Sequence, residues 1–275
     1  MTAIWPVRCP GALPPGAVLA PTALPPTTLA LDELDLLLQL LDIDELPVVL
    51  DAAPRHDAVA AREAAGAAAA RTLTGRGLLD GNRPHPDLAD RLWTLARPDR
   101  EVSLRRHTGD GVERLCVARG PRGAMAADRG RDHVVLRHVP SSALGVLCDA
   151  LGSAQPLAFG PVNTVTAGLV EALADCGDPT ATARSLAGLG LAGPEAVVLA
   201  AALATCLART EIVAVRHSDG RAAPLGAPVA VFDTEHGRIL GTSSTAADGV
   251  GWSTLGPGGD ARVRQAVAEL LAEPR

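Results

Sequence analysis

Leu31, Leu34, Leu37, Leu38 and Leu41 recur at steps of three and four, the spacing that gathers apolar side chains on one helical face. The pattern predicts a helix from about Thr28, interrupted by Pro47, whose ring disfavours helical geometry in the residue before it. An Ala- and Arg-rich stretch from about Asp57 to Thr74 reads as a second helix, closed by Gly75 and Gly77. A third opens at Pro86, a favourable first-turn residue, and carries Leu88, Leu92 and Leu95 to a stop at Pro98.

The period then shortens to two. From Glu101 to His107, Val102 and Leu104 alternate with polar neighbours, and Gly109-Asp110-Gly111 supplies a turn. Val112–Arg119, Gly123–Asp128 and His133–Val139 complete a predicted four-stranded meander. A short helix follows over Ser141–Leu151, with Ser141 or Ser142 as its N-cap. The same succession then returns. Helices are predicted over Val165–Cys176, Pro179–Leu186 and Pro194–Ala208, then strands over Glu211–His217, Val229–Thr234, Arg238–Ser243 and Val250–Leu255. A helix over Asp260–Ala272, with Val263, Val267 and Leu270 on one face, closes the chain. Arg106-His107 precedes one turn and Arg216-His217 precedes another, about 110 positions later. The order of elements therefore predicts an α+β fold with an antiparallel sheet and a pseudo-two-fold repeat of helices plus a four-stranded meander. The expected organisation is a Pro-rich extension over residues 1–26 and one domain over 27–275, made of halves 27–152 and 163–275.

Composition narrows the function more than the fold. With 47% hydrophobic and 20% charged residues, the 275-residue chain is globular in character. A net charge of −6 and only five aromatic residues argue against a nucleic-acid partner, which needs a basic face and stacking platforms. The sequence contains no Lys, which removes Schiff-base chemistry and a phosphate-loop lysine together. Cys9, Cys116, Cys148, Cys176 and Cys206 are scattered, so they suggest buried thiols rather than a disulfide scaffold or zinc site. The longest apolar stretch, Ala196–Ala208, is too short to span a bilayer, and the seven prolines among the first 26 residues oppose a helical signal peptide. Residence in the cytoplasm is the expectation.

Candidate chemistry is sparse. Gly188-Leu-Gly-Leu-Ala-Gly193 matches the dinucleotide fingerprint letter by letter, and makes a small-ligand or nucleotide-binding enzyme the alternative reading. That fingerprint requires a strand before it, whereas Pro179–Ala187 reads as helix. His107 and His217 fall at strand ends, and His133 and His138 fall on opposite strand faces, too divergent to share a metal. His56, His85 and His236 read as loop residues, and Asp233 and Glu235 as turn acids. No catalytic residue, cofactor or metal is assigned. The apolar Pro194–Ala208 segment is either core or a partner surface.

One resemblance gives that surface a context. The stretches Leu31-Asp-Glu-Leu-Asp-Leu-Leu, Leu46-Pro-Val-Val-Leu50, Leu73-Thr-Gly-Arg-Gly-Leu78 and Leu92-Trp-Thr-Leu-Ala-Arg-Pro98 come first. Phe232-Asp-Thr-Glu-His-Gly-Arg238, Asp248-Gly249 and Trp252-Ser-Thr-Leu255 follow in order. Together they make residues 28–273 resemble the EspG family of type VII (ESX) secretion chaperones. The resemblance implies a non-enzymatic, cofactor-free cytosolic protein that binds the PPE tip of a PE–PPE heterodimer. It also implies contacts from the sheet and the second helical bundle, loosely residues 179–217 and 229–235. Leu199, Val213, Val215, Arg216 and Val231 are the expected contact residues. Asp233, Thr234, Gly237 and Arg238 are read as a structural hairpin, with Arg238 pairing across the turn to Asp233, and Trp252 as a second structural marker. No Tyr is present, so the partner surface would rest on Ala, Leu, Val and Arg. Self-association of the free protein into a homodimer is a further expectation.

Overall fold

The computed structural model describes residues 23–52, 55–140, 142–174 and 176–272. Residues 1–22, with Cys9 and most of the Pro-rich extension, lie outside the described residues, as does Ser141. The chain enters through strand β1 (Thr27–Ala30) and helix α1 (Leu31–Leu40), followed by a tight turn at Val48–Leu50. Helix α2 (Val59–Gly75), a small hairpin of β2 (Leu79–Asp80) and β3 (Arg83–Pro84), and helix α3 (Pro86–Ala96) come next. Strands β4 (Arg100–Thr108), β5 (Gly111–Gly120), β6 (Gly123–Arg129) and β7 (His133–His138) lead into helix α4 (Ala143–Leu151).

Beyond α4 come β8 (Val162–Val165), α5 (Thr166–Ala172), α6 (Pro179–Gly188) and α7 (Gly193–Ala204). Strands β9 (Cys206–Ser218), β10 (Arg221–Pro224), β11 (Val229–Thr234), β12 (Gly237–Thr245) and β13 (Gly251–Pro257) precede the last helix, α8 (Asp260–Leu271).

One antiparallel sheet organises these elements. Its strand order is β1-β7-β6-β5-β4-β9-β11-β12-β13-β8, with β10 paired to the end of β9. The long central strands β4 and β9 pair from Arg100 opposite Arg216 to Thr108 opposite Ala208. Alternation along each strand sends neighbours to opposite faces, so Cys116 joins one core and Val117 another. On one face α1 and α3 cover β5, β6 and β7 through Leu34, Leu37, Leu88 and Leu92. On the same face α5, α6 and α7 cover β12 and β13 through Leu186, Leu199 and Leu203, against Ile239 and Leu255. Helices α4 and α8 pack on the opposite face over the sheet's middle. The two helical layers of the first face leave β4 and β9 uncovered between them.

Several predicted boundaries shift for one reason: hydrogen-bonded partners override local periodicity. Thr28 belongs to a strand, not a helix, because Thr27–Ala30 pairs with Leu136–His133. Val165 ends a strand opposite Trp252, and the helix after it stops at Ala172 rather than Cys176. The predicted Pro194–Ala208 helix ends at Ala204, since Cys206 and Ala208 pair with Thr234 and Asp233 of β11. Leu24, before residue 27, is also engaged with helix α3. The Leu24 amide donates to Asp87 at 3.0 Å, and the Leu24 carbonyl accepts from Arg91. Ser142 caps α4, its hydroxyl accepting from the Gly145 amide at 3.4 Å.

Candidate interaction surface

The turn between β11 and β12 is built from Asp233, Thr234, Gly237 and Arg238. The Thr234 hydroxyl accepts from the His236 amide at 3.1 Å and donates to the Gly237 carbonyl at 2.7 Å, which closes the turn. Arg238 turns back to give Asp233 a hydrogen bond of 2.6 Å from Nε. Gly237 adopts φ of +135°, and a β-carbon there would lie 2.6 Å from the Leu157 amide nitrogen. Gly237→Ala therefore forces backbone against backbone in a conformation that L-residues avoid, and is expected to cost about 2–4 kcal/mol. Urea denaturation of the variant checks this.

Helix α7 resolves the ambiguity of the apolar 194–208 stretch by doing two things at once. Its leucines, Leu199 and Leu203, point inward with Ala196, Ala200 and Ala202. Its outward face runs Pro194, Val197, Val198, Ala201 and Ala204, at helical spacing and without a charge. Val197 and Val198 are 60% and 44% exposed, and Leu207, at the start of β9, is 56% exposed. The exposed apolar residues along one side of α7 make that side a candidate docking surface.

Between the helical layers, the bared stretch of β4 and β9 forms the floor of a cleft of about 780 Å³, walled by the Leu46–Val49 turn and the end of α3. Register explains which side chains reach it. Glu101 pairs with Val215, Ser103 with Val213 and Arg105 with Glu211, so all six share one face. Arg105 meets Glu211 at 2.9 Å and Arg114 meets Asp51 at 3.1 Å. Glu101 faces His217 at 3.7 Å; burial pushes its carboxyl above the ordinary value, and His217 offsets this only in part.

The five expected contact residues divide. Val213 and Val215 line the cleft, half-buried. Arg216 is exposed but sits on the opposite face, paired with Arg100. Leu199 and Val231 are corrected: both are fully buried, in different cores, and present nothing to a partner. Apolar character nominated them, but it does not distinguish inward from outward. Trp252 is 38% exposed on β13, opposite Ser244 and Val165. The glycines of Gly188–Gly193 end α6 and begin α7, so the strand required by a dinucleotide site is replaced by a helix. Gly190, at φ of +97°, lets the Leu191 amide return to the Leu186 carbonyl, a helix-terminating turn. The histidines are dispersed: His138 meets Asp87, His133 meets Asp132, His56 meets Asp32, and His85 accepts from the Asp87 amide. Among the described residues, no helix is long and apolar enough to cross a membrane.

A broad antiparallel sheet bearing two separated helical layers on one face and a third on the other defines an α+β protein with an open cleft and an uncharged outward helix face. The chain belongs to the EspG family, whose model matches residues 30–269. It is 30% identical over 238 residues to the ESX-1 secretion-associated protein EspG1 of Mycobacterium marinum, covering 84% of this chain and 82% of that protein. EspG1 of Mycobacterium tuberculosis is 33% identical over 208 residues, covering 73% and 70%. Among solved structures, the fold matches that of the M. tuberculosis type VII secretion system chaperone EspG5 in complex with a PE25–PPE41 dimer. There the TM-score is 0.74 at 20% identity, over 90% of this chain and 95% of that one.

Proposed function

We propose that this chain is a non-enzymatic cytosolic chaperone that binds a PE–PPE-type heterodimer for type VII secretion, docking it on the α7 face and the adjoining sheet. The observation that carries the reading is the uncharged outward face of α7, with the exposed Leu207 three residues beyond the helix, on a chain of the EspG family. An apolar client tip seated there would be withdrawn from water, and the polar rim would fix its register. The EspG5 complex with PE25–PPE41 supports the class of client.

We also infer that residues 27–275 form one domain of two related halves, 27–152 and 163–275. The central pairing supports this: Leu104 lies opposite Ile212, with β4 followed in one half and β9 in the other by the remaining strands of its meander. The free protein buries the α7 face by forming a homodimer, which the client displaces.

Co-expression with each PE–PPE pair of the source genome, followed by capture of this chain and gel filtration, tests the function. A stoichiometric ternary complex is expected. Replacing Val197 and Leu207 together by aspartate should weaken capture at least about tenfold. Both positions are exposed, so stability should change little. If every well-expressed pair fails to bind, the chaperone reading is wrong. Light scattering on the free protein checks the homodimer.

A further inference from the structure

The cleft floor holds a carboxylate without an adequate counter-charge. The Glu101 side chain is only 13% exposed, and its ion-pair partner, His217 Nε2, stands at 3.7 Å, beyond hydrogen-bonding range. That nitrogen is itself sealed from solvent without a hydrogen-bond partner. The arginines of the cleft are engaged elsewhere, Arg105 by Glu211 and Arg114 by Asp51. Four carboxylates line the cleft against two guanidiniums, so its net charge is negative. Its walls are apolar, and Val48, at the rim, is 94% exposed.

An occupant that matches this chemistry is apolar along its length and carries one cationic group at the end of a long stem. We propose that the cleft receives an apolar segment of the PE–PPE client bearing a single Arg or Lys, whose head group lies against Glu101. The stem packs on Val213 and Val215 while the head reaches the carboxylate. The new pair is charge-assisted and shielded from water, and it supplies the counter-charge that His217 provides poorly. An acidic residue at the same place on another client would meet Glu101 and Glu211 and be rejected. This inference rests on the chaperone reading and adds to it the residue type by which a client is selected.

Site-specific photo-crosslinking tests it on the full chain. With p-benzoylphenylalanine in place of Val213 and the captured PE–PPE pair as probe, irradiation should give an adduct to an apolar PE or PPE peptide containing Arg or Lys. Glu101→Gln should weaken client binding about tenfold, and neutralising the basic residue of the adduct peptide should cost the same. Combining the two should cost no more than either alone. Should Glu101→Gln fail to fold, the adduct and the client-side substitution still decide. An adduct to residues 1–22 of this chain or to a second copy overturns the proposal, as do additive losses. So does the absence of an adduct when the client is captured through the α7 face. Failure to capture any client at all would overturn the chaperone reading along with this one.

Discussion

Replacing Arg91 with leucine is expected to lower the stability of the protein by about 3–5 kcal/mol, the range for breaking a buried ion pair from one side. The Arg91 side chain has no exposed surface, yet it carries a full charge into the layer between α3 and the sheet. It is tolerated there because it is surrounded by acceptors. Asp87, one turn earlier on α3, lies 2.8 Å from Nη2. Nη1 donates to the Pro25 and Leu136 carbonyls at 3.0 Å each, and Nη2 donates to the Leu24 carbonyl. One side chain thus ties the entering segment, helix α3 and strand β7 together. Leucine would take a donor from three carbonyls, of which Pro25 keeps the Thr27 hydroxyl, and leave Asp87 buried beside His138 and the Leu24 amide. Urea denaturation gives the magnitude, and amide exchange gives the location. Protection over residues 24–30 should fall first, because among the described residues β1 pairs only with β7. If exchange there matches the parent while stability drops, the guanidinium stabilises α3 alone.

What the chain discloses before it folds depends on how far each feature repeats. Helix α3 and strands β4 to β7 are periodic over enough residues for the pattern to settle their type. Strands β1, β8 and β10 are four residues each, too short for alternation to register, and exist because neighbours lend them hydrogen bonds. The Thr27–Ala30 strand runs straight into the α1 leucines, so a helical pattern absorbs it.

The candidate surfaces were legible in the same uneven way. A run such as Pro194–Ala208 announces that it will be buried somewhere, not on which side. One signal was present: in α7 the leucines recur on one face while Pro, Val and Ala occupy the other. Larger side chains facing the core would have placed Leu199 inward. The cleft offered no comparable signal. Its walls and floor come from residues 45–51, 95–105 and 211–217 with Arg114 and Ala222, brought together by strand register and by the stop of the two helical layers on one sheet face. His217 is recognisable in sequence only as a strand-end residue; its partner Glu101 emerges when β4 and β9 pair.

Arg238→Met is expected to destabilise the protein by about 3–5 kcal/mol through the two helix-end carbonyls that lose a charged donor, releasing helix α4 rather than the turn in which Arg238 sits. The Arg238 side chain is 3% exposed. Its Nε holds Asp233 at 2.6 Å, while Nη1 and Nη2 donate to the Gly152 and Leu151 carbonyls at 2.8 Å each. Those carbonyls are the open end of α4, where the helix dipole is negative and a cation is favourable. The backbone of Arg238 is engaged as well. Its amide donates to the Gln155 carbonyl at 2.7 Å, and its carbonyl accepts from Leu157 and Gly258 at 3.0 and 2.8 Å. Methionine retains those backbone bonds and much of the volume but supplies no donor to the helix end. Asp233 would keep Arg106, 3.4 Å away, so the β11–β12 turn retains an ion pair. Arg238→Lys should recover little, because one ammonium cannot reach a carboxylate on one side and two successive carbonyls on the other in the guanidinium's fixed geometry. Amide exchange separates the possibilities. Faster exchange at the end of α4, with β11 and β12 still protected, identifies Arg238 as the cap of that helix. Loss of protection confined to β11 and β12 would instead make the pair with Asp233 its main contribution.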